Sequence, residues 1–82
     1  MEDYIVTIML WPCSWVPRGW LFCNGQLLSI QSNQVLFSLI GTTYGGDGIT
    51  NFMLPDMQSV KTVSGAEVRY IICFEGIYPS RD

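Results

Sequence analysis

The chain has no histidine. That absence removes the commonest general base at neutral pH and the commonest metal ligand. Ser14, Ser32, Ser59 and Ser80 therefore have no imidazole to activate them, and Cys13 has no basic neighbour to lower its pKa. The three cysteines, Cys13, Cys23 and Cys73, lack C-x-x-C spacing, and a Cys₃ site would want a fourth ligand. One disulfide with a spare thiol fits this set, as do three reduced and mostly buried thiols. Asp47 and Asp56 could form an acid pair, but nothing around them suggests two pKa values pushed apart. The expectation is a protein without metal or cofactor that is not an enzyme.

Positive charge is also scarce. Four basic residues, Arg18, Lys61, Arg69 and Arg81, stand against seven acidic ones, for a net charge of −3. No two basic residues are neighbours, so no stripe exists to neutralise phosphates, and nucleic acid is excluded as a partner. The N-terminal residues carry Glu2 and Asp3 where a signal peptide needs basic groups, and Pro12 soon interrupts the apolar run. The segment reads as neither signal peptide nor membrane span, and the chain is expected to start in a cytoplasm.

What the sequence does have is apolar material. Of its 82 residues 49% are hydrophobic and 13% aromatic, against 13% charged. Such a chain is globular, and its length makes one domain over residues 1–82. With so little charge, some apolar surface is left exposed, and patches of that kind mark interaction sites. A small domain also gains disproportionately from burial against a second subunit.

Along the chain, Tyr4 to Leu10 reads as a strand whose near-continuous apolarity suggests burial on both faces. Pro12 and Pro17 bracket an irregular loop with Trp11 at its entry and Trp15 inside it. Trp20 to Cys23 reads as a strand closed by Asn24-Gly25, the strongest two-residue hairpin pattern, with Gln26-Leu27-Leu28 as its return. Apolar residues at Val35, Leu36, Leu39 and Ile40 have helical spacing; Ser29 or Ser32 can cap the helix, and Gly41 sits where a left-handed cap would end it. Three glycines in Gly45-Gly46-Asp47-Gly48 mark a loop, and Phe52 to Leu54 an extended piece stopped by Pro55. Gln58 to Glu67 is polar, with a turn at Ser64-Gly65, and Arg69 to Glu75 alternates as a central strand. The order predicts an α+β fold: a small, mostly antiparallel β-sheet with one short helix over about residues 32–40.

Three constellations invite a functional reading. Pro17-Arg18-Gly19-Trp20 presents Arg18 beside the face of Trp20 as a recognition corner; alternatively Arg18 pairs with Asp56 or Glu75 to pin the loop, with Trp20 in the core. Tyr44-Gly45-Gly46-Asp47-Gly48 could nest an anion through glycine amides, but it lacks the lysine and Ser/Thr of a phosphate loop, and one carboxylate is too few for calcium. A structural turn is the simpler account. Trp11, Trp15 and Tyr78, clustered, could form a ligand pocket or subunit interface, or else cover the ends of a small core.

Several segments resemble the phage tail collar domain family: Val16-Pro17-Arg18-Gly19-Trp20; Phe22-Cys23-Asn24-Gly25-Gln26-Leu27-Leu28; Asn33-Gln34 to Phe37-Ser38-Leu39-Ile40-Gly41-Thr42-Thr43-Tyr44-Gly45-Gly46-Asp47-Gly48; and Phe52-Met53-Leu54-Pro55-Asp56. The stretch from Tyr70 to Arg81 is similar to the final strand of bacterial members. Larger relatives carry a Gly- and His-rich insertion before that strand, whose histidines in tail fibres bind metal and interlock a trimer. Here only about a dozen residues bridge the gap, so metal and intertwined tip do not carry over. The resemblance implies a structural assembly module that self-associates, a trimer being the first guess, and joins other tail or filament proteins in a virion or phage-derived particle. The alternative is a phage-encoded protein that binds a small molecule or nucleotide signal.

Overall fold

The computed structural model describes residues 3–79. Seven elements run β1 (Ile8–Trp11), β2 (Trp20–Phe22), β3 (Leu27–Ser29), α1 (Gln34–Ile40), β4 (Asn51–Met53), β5 (Val60–Lys61) and β6 (Glu67–Cys73). The expected α+β class holds: antiparallel sheets with one short helix. β6 is central as anticipated, beginning at Glu67 and ending at Cys73. It pairs antiparallel with β1 on one edge (Ile8 opposite Ile72) and with β2 on the other (Leu21 opposite Ile72). Its N-terminal end also pairs with β5.

The β-branched and aromatic content of Val68, Tyr70, Ile71 and Ile72 suits a strand buried on both faces. Because side chains alternate, β6 sends neighbours into different cores. Ile72 joins Ile5, Cys23, Leu36, Phe52 and Leu54 on one side, whereas Ile71 and Cys73 pack with Trp20 on the other. The first core is roofed by α1 and by the two-stranded ribbon of β3 and β4, in which Leu28 lies opposite Phe52. Fully burying one such side chain contributes about 1.5–3 kcal/mol, so the handful at this junction dominate the fold.

Expectations fail at the first turn and at the first strand. First, β2 and β3 do not form a hairpin across Asn24-Gly25. The Cys23 carbonyl accepts from Met57 N–H (2.8 Å), and the Gln26 carbonyl from Leu54 N–H (3.1 Å). The Phe22 carbonyl is taken by the Gln26 side-chain amide at 3.1 Å. Both arms of the turn therefore bond the Leu54–Met57 segment, and β3 crosses to β4, where Leu28 reaches Phe52. Second, the first strand starts at Ile8, not Tyr4, and is not buried on both faces: Ile8, Met9 and Leu10 are exposed. Tyr4–Thr7 is a turn, with Thr7 N–H donating to the Tyr4 carbonyl at 3.2 Å. Val6, its third residue, has φ +69°, a conformation rare for a β-branched side chain. Val6 N–H and the Thr7 carbonyl both bond Cys73, so two residues oppose one. This is a bulge that begins the strand late.

The helix runs from Gln34 to Ile40, inside the expected span, with Leu36 buried. Its N-cap is Asn33 with no side-chain cap bond, so neither serine caps it; instead Asn33 Nδ2 donates to the Ser29 carbonyl at 2.9 Å. Gly41 ends it at φ 55°, its N–H bonding the Phe37 carbonyl. Two turns of helix hold only because packing stabilises them. Among the described residues, no helix is long and apolar enough to cross a membrane.

Candidate interaction surface

β1 lies at the sheet edge, and the phase of its hydrogen bonds follows from its neighbours. Cys73 N–H donates to the Thr7 carbonyl at 2.9 Å. In an antiparallel ladder, bonded and non-bonded pairs alternate. With Ile8 opposite Ile72, Met9–Ile71 and Trp11–Arg69 are thus the bonded pairs, and the backbone groups of Ile8 and Leu10 point away from β6. On the far side of β6 the phase agrees: Cys23 N–H donates to the Tyr70 carbonyl, and Phe74 N–H to that of Gly19. Among the described residues nothing pairs with the outer edge of β1.

Aromatic residues continue this edge. Trp11 Nε1–H donates to the Trp15 carbonyl at 2.6 Å, and the rings meet edge to face with centroids 5.4 Å apart. Trp15 is 60% exposed. The bond closes the proline-bracketed loop on itself and presents one indole to solvent. Trp20, in contrast, is 8% exposed and belongs to the second core.

The remaining candidate residues lie elsewhere. Tyr78 follows the far end of β6, its hydroxyl 3.4 Å from Ser38 Oγ on α1, so it does not join Trp11 and Trp15. Arg18 lines an open cleft with Asp3, Trp20 and Glu75. The ion pair found among the described residues is Arg69–Glu67 at 3.9 Å, so no such pair fixes Arg18 to Asp56 or Glu75. Tyr44 is exposed at the tip of the glycine loop.

Asp47 organises that loop. Its Oδ1 accepts from the N–H groups of Ile49, Thr50 and Asn51 at 2.8–3.0 Å, and its Oδ2 from the Thr50 hydroxyl. The Ile49, Asn51 and Thr50 amides hold its carboxyl well below the usual carboxylate range. These oxygens are engaged by the loop's own donors, and the geometry is that of a turn. Among the described residues, no group of three or more His, Cys, Asp or Glu side chains could hold a metal ion.

Ile8, Met9 and Leu10 are the surface residues that the sequence reading missed. A usable sign was present: no charged residue occurs between Asp3 and Arg18.

Fold and surface together define a small β-rich domain with an open apolar edge. Residues 7–60 match the phage tail collar domain, and the chain belongs to that family of phage-tail structural domains. The match runs from the bulge before β1 into β5, so the central strand β6 lies beyond it. No curated protein matches the chain.

Proposed function

We propose that this protein is a non-enzymatic assembly module of a phage tail or related particle, working by self-association through the uncharged surface of β1 and the Trp11–Trp15 loop. One observation carries the reading. The edge strand exposes Ile8, Met9 and Leu10 within a stretch from Tyr4 to Pro17 that contains no charged residue. Exposed apolar edges are normally protected by charge, proline or a cover, because they template association. Leaving this one open makes physical sense where another chain covers it.

The cleft beside Arg18 gives weaker support to a small-ligand function, since Asp3 and Glu75 line it too and would repel a phosphate or carboxylate. Sedimentation at micromolar concentration tests the proposal. A defined homo-oligomer is expected, and a monomer that also ignores other tail proteins overturns it.

A further inference from the structure

Among the described residues there are surface clefts, one buried thiol in each core, a loop organised by Asp47 and an open edge, and the edge supports the most specific inference. We propose that two copies of this chain pair antiparallel through β1, about a two-fold axis at Met9. This rests on the self-association reading above and specifies its contact. Residues whose N–H and C=O groups point outward are Ile8 and Leu10, because Thr7, Met9 and Trp11 face β6. Antiparallel pairing that sets Ile8 of one copy opposite Leu10 of the other lets each such pair exchange both its N–H···O bonds. The arrangement maps onto itself under a two-fold rotation, as an isologous contact requires.

Three features of the edge fit a second copy. Its side chains are apolar on both faces, so Ile8 meets Leu10 on one face and Met9 meets Met9 on the other. With no charged residue from Tyr4 to Pro17, a chain of net charge −3 meets its copy here without opposing carboxylates. The bulge at Val6–Thr7 and Pro12 bound the free edge at both ends, so pairing stops after one strand and the contact closes. In this register Trp11 of each copy falls opposite Thr7 of the other, which brings the exposed Trp15 ring against the partner.

Three variants of the full chain test the pairing. Leu10→Pro deletes an outward N–H that bonds nothing among the described residues. It is expected to raise the dissociation constant about tenfold or more, the donor being lost twice by symmetry. Leu10→Lys is expected to do the same by placing charge on the edge. Met9→Cys, with Cys13→Ser to silence the accessible thiol, is expected to oxidise to a covalent dimer. Opposed residues of a non-bonded pair lie about 4.5 Å apart at Cα, within disulfide reach. A two-protomer mass that weakens in both Leu10 variants and cross-links at residue 9 supports the pairing. An oligomer indifferent to Leu10 and unlinked at residue 9, or a three-protomer ring, overturns it while leaving self-association intact. A wild-type monomer overturns both. Should Leu10→Pro fail to fold, Leu10→Lys and the cross-link decide.

Discussion

The indole N–H of Trp11 donates to the carbonyl of Trp15, and the same two residues stack edge to face. One ring is half-buried against the second core while the other stands in solvent. The pair therefore divides its labour: Trp11 fixes the loop and Trp15 presents it. Truncating Trp15 to alanine is expected to cost about 1 kcal/mol or less in urea unfolding, the value of an edge-to-face pair without much burial. Trp11→Ala is expected to cost more, about 2 kcal/mol, since packing and a hydrogen bond go together. In sedimentation, Trp15→Ala is expected to weaken self-association although its protomer stays folded. An unchanged association constant would remove Trp15 from the contact.

Gly46 offers a sharper test of the loop. It sits at φ +97°, and a Cβ there would lie 2.5 Å from Phe52 Cα and 2.9 Å from the Asn51 carbonyl oxygen. Those are backbone atoms of β4, which is held in register by β3, so they cannot swing away. Gly46→Ala is expected to destabilise by about 2–3 kcal/mol, combining an unfavourable φ with overpacking. Gly65 is the control. It too has positive φ (+91°), but nothing lies within 4 Å of its Cβ position, and Gly65→Ala should cost about 1 kcal/mol. Equal losses at the two sites would mean that close approach contributes nothing.

Elements governed by local pattern were legible in the sequence. Val35, Leu36, Leu39 and Ile40 announced α1, and Pro55 stopped the extended piece containing β4. The segment Arg69 to Glu75, expected to alternate as a central strand, does contain one, but Tyr70 to Phe74 are all apolar, the pattern of a strand covered on both faces. What the sequence concealed was the choice of partner. Asn24-Gly25 makes a turn, but nothing local says that both arms bond Leu54–Met57 instead of each other. A run such as Ile8-Met9-Leu10 is equally apolar in a buried strand and in an open edge; only the count of strands beside it separates the two. Candidate site residues divided along the same line. Trp11 and Trp15, four apart in a proline-bounded loop, were recognisable as neighbours. Tyr78 shares with them an aromatic ring and a place outside the regular elements, but its contact with Ser38 depends on how the chain returns after β6.

The thiols give a prediction about accessibility. Burial pushes the Cys23 thiol up to about 11 and raises that of Cys73 as well. All three cysteines are free, and Cys13 alone is not buried. Because the thiolate is the reactive species, Cys23 and Cys73 are expected to resist a disulfide reagent at pH 8 while Cys13 reacts. Native protein should therefore titrate one thiol rapidly, and the other two should follow only in denaturant. Rapid reaction at Cys73 would show that the second core opens beside Trp20.

Acid stability follows from Asp47. Its folded pKa lies below the unfolded value of about 3.9, so the folded state binds this proton less readily than the unfolded one. The stabilisation is fully present above the unfolded pKa and is lost as pH falls from about 4 through the folded value. Glu67, whose carboxyl is lowered by the Ser59 hydroxyl and by Arg69, acts in the same direction. Asp47 is exposed, so solvent screens its charge and the effect is modest; what it holds is three backbone amides of one loop. Thermal unfolding between pH 5 and pH 2 is expected to show a midpoint that declines with acidification. In Asp47→Asn the midpoint should start a few degrees lower at neutral pH and decline less steeply. The amide oxygen can still accept from Ile49 and Asn51, so the loop should keep its form and lose only the charge-assisted share. A variant whose curve runs parallel to the wild type would mean that the carboxylate's charge does not stabilise the loop.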